Sequence, residues 1–576
     1  MRINLQFIKQ LLKKFPSRQQ WQNLPSVLTT KERYFIFGLT TLALLSLFGW
    51  IFANYLKNTV PIPDYGGSFK EGIAGNPQYI NPVLSQANDA DRDVTELIFS
   101  GLLKYNSKGE LTPDLVEKYN IGDNGKTYEF FLKKDIKWHD DQPFTADDVV
   151  FTIKIIQNPD YRSPVRINWT GVDVEKIDDF AVRFKLKTPY APFLANNTIG
   201  ILAKHIWEKI PPINFALAPE NLSPIGTGLY KFKKITKDKE GFVSYIELEA
   251  FDEYGSPRRP YINKINLYFY PDEESLIRAF NHGKFNNLSL ASVKDKELLK
   301  PLPMANTFKL ILPRYFAVFF NQSKNKALAD KTVRLALNHA TNKKEIIDKV
   351  LNGEGKTVDS PIPTGVWGHT DETKIYDFAI DHAKNILETA GWKDKDNDGI
   401  REKGGEKLEF ELITTELKEL QQVANLLQEQ WQKIGAKANV KILTIGEIQQ
   451  QYIRPREYQA LLFGEVLGLD PDPFSFWHSS QKKDPGLNLA LYDNKSVDDL
   501  LKDARQTLDP TTRAEKYKKF QQLVIDDAPV VFLYSSYQLY FVAKKIKGIE
   551  IENVVLPSKR FAGIEDWYIK TQRVKK

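Results

Sequence analysis

Hydrophobic and polar positions fall into two rhythms along most of the chain. YEFFLKK (128–134), AVRFKLK (181–187), FVSYIELEAF (242–251) and KINLYFY (264–270) alternate or run with β-branched and aromatic residues, as strands do. SLIRAFNHG (275–283), KTVRLALNHATNKKEIIDKVLNG (331–353) and KELQQVANLLQEQWQKIG (418–435) repeat their apolar residues at helical spacing and stop at glycine. LEFELIT (408–414), the helix over 418–435 and KANVKIL (437–443) together predict a β-α-β unit, which favours parallel sheet covered by helices. The expected fold class is α/β.

A different pattern stands at the N-terminus. YFIFGLTTLALLSLFGWIFANYL, residues 34–56, contains no charged residue and is long enough to cross a hydrocarbon core of roughly 30 Å as a helix. Tyr34, Trp50 and Tyr55 lie near its ends, where interface aromatics belong. Arg2, Lys9, Lys13, Lys14, Arg18, Lys31 and Arg33 precede it against the single acid Glu32, so the positive-inside bias puts the N-terminus in the cytoplasm. A cleaved signal peptide is the competing reading. The apolar core is longer than a usual signal core and no convincing small-x-small site follows, which favours an uncleaved anchor. Residues 1–33 are then a cytoplasmic basic segment, 34–56 a transmembrane anchor and 57–65 a Pro/Gly-bearing tether.

Composition narrows the function. The 576 residues suggest two or three domains or lobes. The absence of cysteine excludes disulfides, thiolate metal sites, cysteine nucleophiles and a lipoprotein anchor. A net charge of +7, spread over 80 basic and 73 acidic residues, is no nucleic-acid footprint. The 35 Phe, 25 Tyr and 10 Trp fill cores and permit a lined pocket. Enzyme signatures are missing: GEGKT (353–357) lacks the first glycine of a phosphate loop, and neither HExxH nor GxSxG occurs. No catalytic residue and no cofactor is expected.

Seven stretches then match one family in order: NPQYINPVLSQ (76–86), IFSGLLKYNSKGELTPDLVEKY (98–119), KWHDDQPFTADDVVFTI (137–153), SPIGTGLYKF (223–232), FNQSKNKALADKTVRLALNHATNKKEII (320–347), ETAGWKDKDNDGIREKGG (388–405) and LGLDPDPFSFWHSSQ (467–481). From residue 66 onward the chain resembles the extracytoplasmic solute-binding proteins of ABC importers, in their peptide-binding family. The resemblance implies a two-lobed, type II periplasmic-binding-protein-like fold. It places lobe one at 66–108, 220–307 and 535–576, an extra subdomain of that lobe at 109–219, and lobe two at 308–534. It implies a monomer that captures short peptides between hinged lobes and hands them to ABC permease subunits, tethered to the membrane by its N-terminal helix. A nickel chelate, an oligosaccharide or an opine stays open as ligand, as does an anchored sensory or structural ectodomain.

The sharpest local feature is the Asp–Pro–Asp–Pro of 470–473, whose prolines hold Asp470 and Asp472 out of helical backbone. The resemblance implies that Asp470 meets the α-amino group of a peptide and that Gly464–Leu469, with Gly468 and Leu469 nearest the acid, pairs with it as an added strand. Asp472 is expected to bond local backbone. Tyr79, Ile80, Asn81 and Asn321 match cleft and hinge segments, and Gly226, Thr227 and Gly228 a tight turn. Trp477 is a candidate apolar wall or core residue, as are Phe474 and Phe476. No residue is assigned to the peptide carboxylate; Arg454 and Arg456 are guesses. Asp394, Asp396 and Asp398 copy the opening of a calcium loop, but its twelfth position is Gly405, so a solvated hairpin is the favoured reading.

Overall fold

The computed structural model describes residues 18–252, 259–290, 294–300, 305–551 and 553–576, so residues 1–17 of the basic segment lie outside the described residues. The chain forms two units, residues 1–64 with 570–576, and residues 65–569.

In the smaller unit the apolar run forms helix Thr30–Asn58, longer at both ends than its uncharged core. Thr29 caps it and exchanges bonds with Glu32 in a capping box, and none of its side chains is buried. The helix spans about 44 Å at 1.5 Å per residue, enough to cross a membrane. Most of the expected tether is ordered: Thr59–Asp64 pairs antiparallel with Lys570–Lys575 along its whole length. Pro61 and Pro63 are tolerated because this ribbon has only two strands, so an outward-facing edge needs no N–H donor. Arg573 donates to the carbonyls of Leu56 and Thr59 at 3.1 and 2.8 Å, covering the end of the helix.

The larger unit holds two mixed sheets. The first has the order Ala305–Leu310, Gln538–Ala543, Asn287–Leu290, Ser68–Ala74, Lys264–Tyr270, Val243–Ala250, Tyr230–Lys237. Ser68–Ala74 runs parallel to both of its neighbours. The second has the order Gly355–Thr357, Val530–Ser536, Arg314–Phe320, Ala460–Val466, Glu409–Thr415, Lys437–Leu443. Its last three strands are mutually parallel and include the expected β-α-β unit, with helix Lys418–Gln432 as the crossover. The chain passes between the sheets twice, through residues 311–313 and through Tyr537. A third, four-stranded antiparallel sheet (Val116–Gly122, Thr127–Leu132, Ala181–Leu186, Val172–Asp178) packs against helix Ala146–Gln157 within 109–219.

Burial explains the patterns. Val530–Ser536 is buried at every position because apolar clusters cover both faces of the second sheet. Helices Lys331–His339 and Lys418–Gln432 cover one face, and Lys495–Gln506 and Pro510–Asp527 the other. The helical pattern over 331–353 is two helices, not one: Asn342 interrupts it and caps Lys343–Val350 by accepting the Glu345 N–H. Gly226 and Gly228 are required because a side chain at either would collide with the Ile98 carbonyl, to which Gly228 N–H donates at 2.7 Å.

One buried ionic knot closes the first sheet. Arg560 donates to Glu71 through Nε and Nη2 at 2.8 and 2.6 Å and to Asp93 through Nη1 and Nη2 at 2.6 Å each. Tyr540 adds its hydroxyl to Glu71 at 2.8 Å. Burial pushes the Glu71 carboxyl up, while the guanidinium pulls it back. Removing one partner of a buried pair leaves the other charge stranded, so Arg560→Ala is expected to cost about 3–5 kcal/mol in urea unfolding; a loss under about 1 kcal/mol would mean the knot is dispensable.

A second buried carboxyl lacks a cation. Glu465 accepts from the fully buried Tyr315 hydroxyl, its other oxygen has no partner among the described residues, and burial raises its pKa to about 8. The folded chain therefore holds a proton that the unfolded chain releases near 4.5. The stability from this group is complete below that value and is lost as pH rises toward 8, at about 1.4 kcal/mol per pH unit at most. Glu465→Gln removes the titration, so its melting temperature is expected to gain on the wild type steadily from pH 5 to 8. A gap that stays constant over that range contradicts this reading.

Candidate ligand-binding site

Ligands of open parallel sheets gather beyond the carboxyl ends of the strands. Here those ends are Ala74, Tyr270 and Leu290 in the first sheet and Thr415, Leu443 and Val466 in the second. Both crossing segments lie at the same ends, since Leu310 pairs with Gln538 and Arg314 with Val466. The Asp–Pro–Asp–Pro segment follows Val466 directly, in irregular backbone as its prolines dictate.

The strand leading to it has an open flank. Arg314–Phe320 pairs with all of Ala460–Val466 on one side. On the other, Glu409–Thr415 is in register only at Ala460 and Leu461. Thr414 Oγ1 then donates to the Leu462 carbonyl at 3.1 Å, and among the described residues no strand follows from Phe463 to Val466. The strand ends earlier than the sequence suggests, because the Leu467 N–H turns to Pro313 O at 2.6 Å.

Both aspartates have guanidinium partners from helices far along the chain. Asp470 Oδ1 accepts from Arg513 Nη2 at 2.8 Å, and Oδ2 has no protein partner among the described residues. The Asp470 side chain remains 26% exposed. Arg513 lies flat on Trp367, 4.0 Å from the ring centroid. Asp472 is more enclosed, accepting from Arg505 Nε at 3.0 Å and from the Tyr190 hydroxyl at 3.3 Å. Burial pushes both carboxyls up and the guanidiniums pull them back. Tyr190 belongs to the 109–219 segment, and Ala191 N–H also donates to the Arg505 carbonyl at 2.7 Å, so the two sides of the site meet here. The Tyr105 phenol is held above its ordinary pKa first by burial and then by the nearby Asp470 charge.

Several sequence candidates are corrected by this geometry. Ile80 and Asn81 are fully buried: the Ile80 N–H donates to Asn221 O at 2.9 Å, and the Asn81 side chain holds its own turn through the Val83 N–H at 2.9 Å. Only Tyr79 of that trio is half-exposed, its N–H fixed by Asp91 Oδ1 at 2.9 Å. Asn321 is fully buried and bonds the Arg456 carbonyl and Ser323, so it braces the strand end instead of facing a ligand. Trp477 is core, packed edge-on against Tyr492 and Phe520. Leu469 is buried with its carbonyl already taken by the Trp367 N–H at 2.9 Å, and Gly468 alone of that pair keeps part of its backbone near the surface. Asp472 bonds side chains across the site, in addition to the local backbone of Phe474 expected of it. Phe474 lies under the Arg505 guanidinium at 4.2 Å. Arg456 spends its N–H groups on the carbonyls of Ile453, Lys482 and Gly486, which removes it as a carboxylate partner.

Asp394, Asp396 and Asp398 do converge, with their ligand oxygens within 4.8 Å of one another, and all are exposed. The Lys407 ammonium lies among them, bonding Asp396 at 3.2 Å and also Asp398, while Asp394 accepts from the Gly399 N–H at 3.0 Å. The loop carries its own cation, Lys407.

Comparison with known proteins places this architecture. Residues 110–486 match the family model of bacterial extracellular solute-binding proteins, family 5, middle region. The chain is 31% identical over 523 residues to the oligopeptide-binding protein AppA of Bacillus subtilis, covering 89% of this chain and 93% of that one. The solved structure of AppA from Bacillus subtilis in complex with a nonapeptide superposes with a TM-score of 0.68 at 30% identity, covering 88% of this chain and 100% of the other. NikZ from Campylobacter jejuni in complex with Ni(L-His) superposes with a TM-score of 0.70 at 28% identity, covering 87% and 99%.

Proposed function

The chain belongs to the family 5 extracellular solute-binding proteins of ABC importers, a family of binding proteins and not of enzymes, and on that premise we propose that it captures short peptides between its two sheets. The two sheets act as lobes hinged at residues 311–313 and Tyr537, closing over the ligand and then docking on permease subunits. The observation that carries the peptide reading is the open flank of Phe463–Val466, which ends beside Asp470. Backbone pairing along that flank tolerates any side chain, and Asp470 Oδ2 accepts the terminal ammonium while Oδ1 keeps Arg513. AppA of Bacillus subtilis, solved with a nonapeptide, supports this reading. Helix Thr30–Asn58 anchors the protein in the cell membrane, with the ligand-binding unit outside, and raises its effective concentration near the permease.

Three outcomes are expected. Native mass spectrometry of the purified full chain should show co-purifying short peptides; a metal chelate or sugar in their place would move the ligand class. Asp470→Asn should weaken free-amine peptides by about 2–5 kcal/mol and leave N-acetylated ones nearly unchanged, and equal weakening of both would remove the ammonium clamp. Intact mass of protein extracted from membranes should be the full 66.2 kDa, whereas a chain starting near residue 57 would make the helix a cleaved signal.

A further inference from the structure

Two histidines meet at the end of the second sheet remote from the candidate site. His339 closes helix Lys331–His339, and His382 lies in the first turn of helix Ile380–Thr389. Their ring centres are 4.7 Å apart and their planes cross at 89°. Among the described residues no other two histidines are in ring contact. The neighbouring Asn338 side chain donates to the Val530 carbonyl at 3.2 Å, where strand Val530–Ser536 begins. The other end of that strand, Ser536, adjoins the crossing at Tyr537. Its seven residues span about 20 Å, so the pair stands well away from the cleft-side strand ends.

One ring is held as a ligand is held. The Asp377 carbonyl faces His339 Nδ1 at 2.9 Å, and a carbonyl only accepts, so Nδ1 carries the proton and Nε2 keeps its lone pair. Tying one ring nitrogen to a carbonyl fixes tautomer and ring plane, as is usual for metal-ligating imidazoles. Tyr376 packs edge-on against the same ring at 5.2 Å and is itself tied through its hydroxyl to the Ile525 carbonyl. Burial lowers the His339 pKa, helped by His382 and Lys374 and opposed by Asp377, so the ring is neutral near pH 7. His382 is exposed, and its ring makes no hydrogen bond among the described residues.

The spacing suits a shared ion. Two imidazoles bound to one tetrahedral ion, each nitrogen about 2.0–2.1 Å from it, have ring centres about 5 Å apart. The observed separation needs only a rotation of the exposed His382 ring and no backbone movement. Among the described residues only Asp394, Asp396 and Asp398 form a convergent set of three such ligand groups, so water fills the remaining positions at the histidine pair. With no cysteine in the chain, no thiolate competes for the ion.

We propose that His339 and His382 form a binding site for a divalent transition metal of the imidazole-preferring class, copper(II), nickel(II) or zinc(II). His339 Nε2 is the oriented ligand and His382 completes the pair. A bound ion clasps helices Lys331–His339 and Ile380–Thr389 together and stabilises the folded chain by mass action. Magnesium, which prefers oxygen ligands, is not taken. The site is independent of the peptide reading above.

The test uses the untagged full chain with His339→Gln and His382→Gln. Nickel(II) binding is read by titration calorimetry, copper(II) by its electron paramagnetic resonance spectrum, and melting temperature with nickel(II) or magnesium. Because the chain has seven histidines, the difference between wild type and variants decides. Each variant is expected to bind nickel(II) at least about 10-fold more weakly, since losing a ligand costs no less than losing its outer-shell support. Copper(II) should show two nitrogen ligands in the wild type and fewer in each variant. Nickel(II), and not magnesium, should raise the melting temperature of the wild type alone. Equal nickel(II) affinity in all three proteins overturns the assignment, and so does a melting shift that magnesium reproduces. If His339→Gln does not fold, the exposed His382→Gln decides by the same three readings.

Discussion

The buried contact of Arg560 with Glu71 and Asp93 joins parts of the chain almost 500 positions apart, and the candidate site depends on it. Glu71 lies in the strand parallel to both its neighbours, so the guanidinium fixes the middle of the first sheet. Asp93 lies in helix Asp89–Ile98, whose Asp91 holds the N–H groups of Gln78 and Tyr79. Tyr540 lies in the strand that returns from the second sheet, directly after the crossing at Tyr537. One side chain therefore positions the loop bearing Tyr79 and the return crossing together. Such a knot holds only while every member is present, because each charge is sealed from water.

The second sheet meets its electrostatic demands differently. Its cleft-side acids, Asp470 and Asp472, are balanced by Arg513 and Arg505, which reach them from the helices covering one face. Asp472 also engages Tyr190 from the 109–219 segment, whereas Asp470 bonds Arg513 through one oxygen. Two acids one proline apart thus differ in surroundings: the enclosed one fastens protein to protein, and the other is partly exposed.

Much of this was legible in the sequence. The alternation of 264–270 and 437–443 gave strands with those bounds, and the β-α-β unit around 418–432 is present. Family order identified the fold, and proline chemistry identified the irregular 470–473 segment. What stayed hidden was partnership over distance. Nothing near Asp470 announces Arg513, which is 43 positions away, because tertiary packing brings them together. The same limit made Asn81, Asn321 and Trp477 look available when the fold consumes all three internally.

The ribbon between Thr59–Asp64 and Lys570–Lys575 changes how the two units are joined along the chain. The peptide backbone leaves the smaller unit at residue 64 and comes back to it at residue 570, making a closed circuit. A protease nick in either link would leave the body held by the other, for as long as six paired residues and the Arg573 bonds stay zipped.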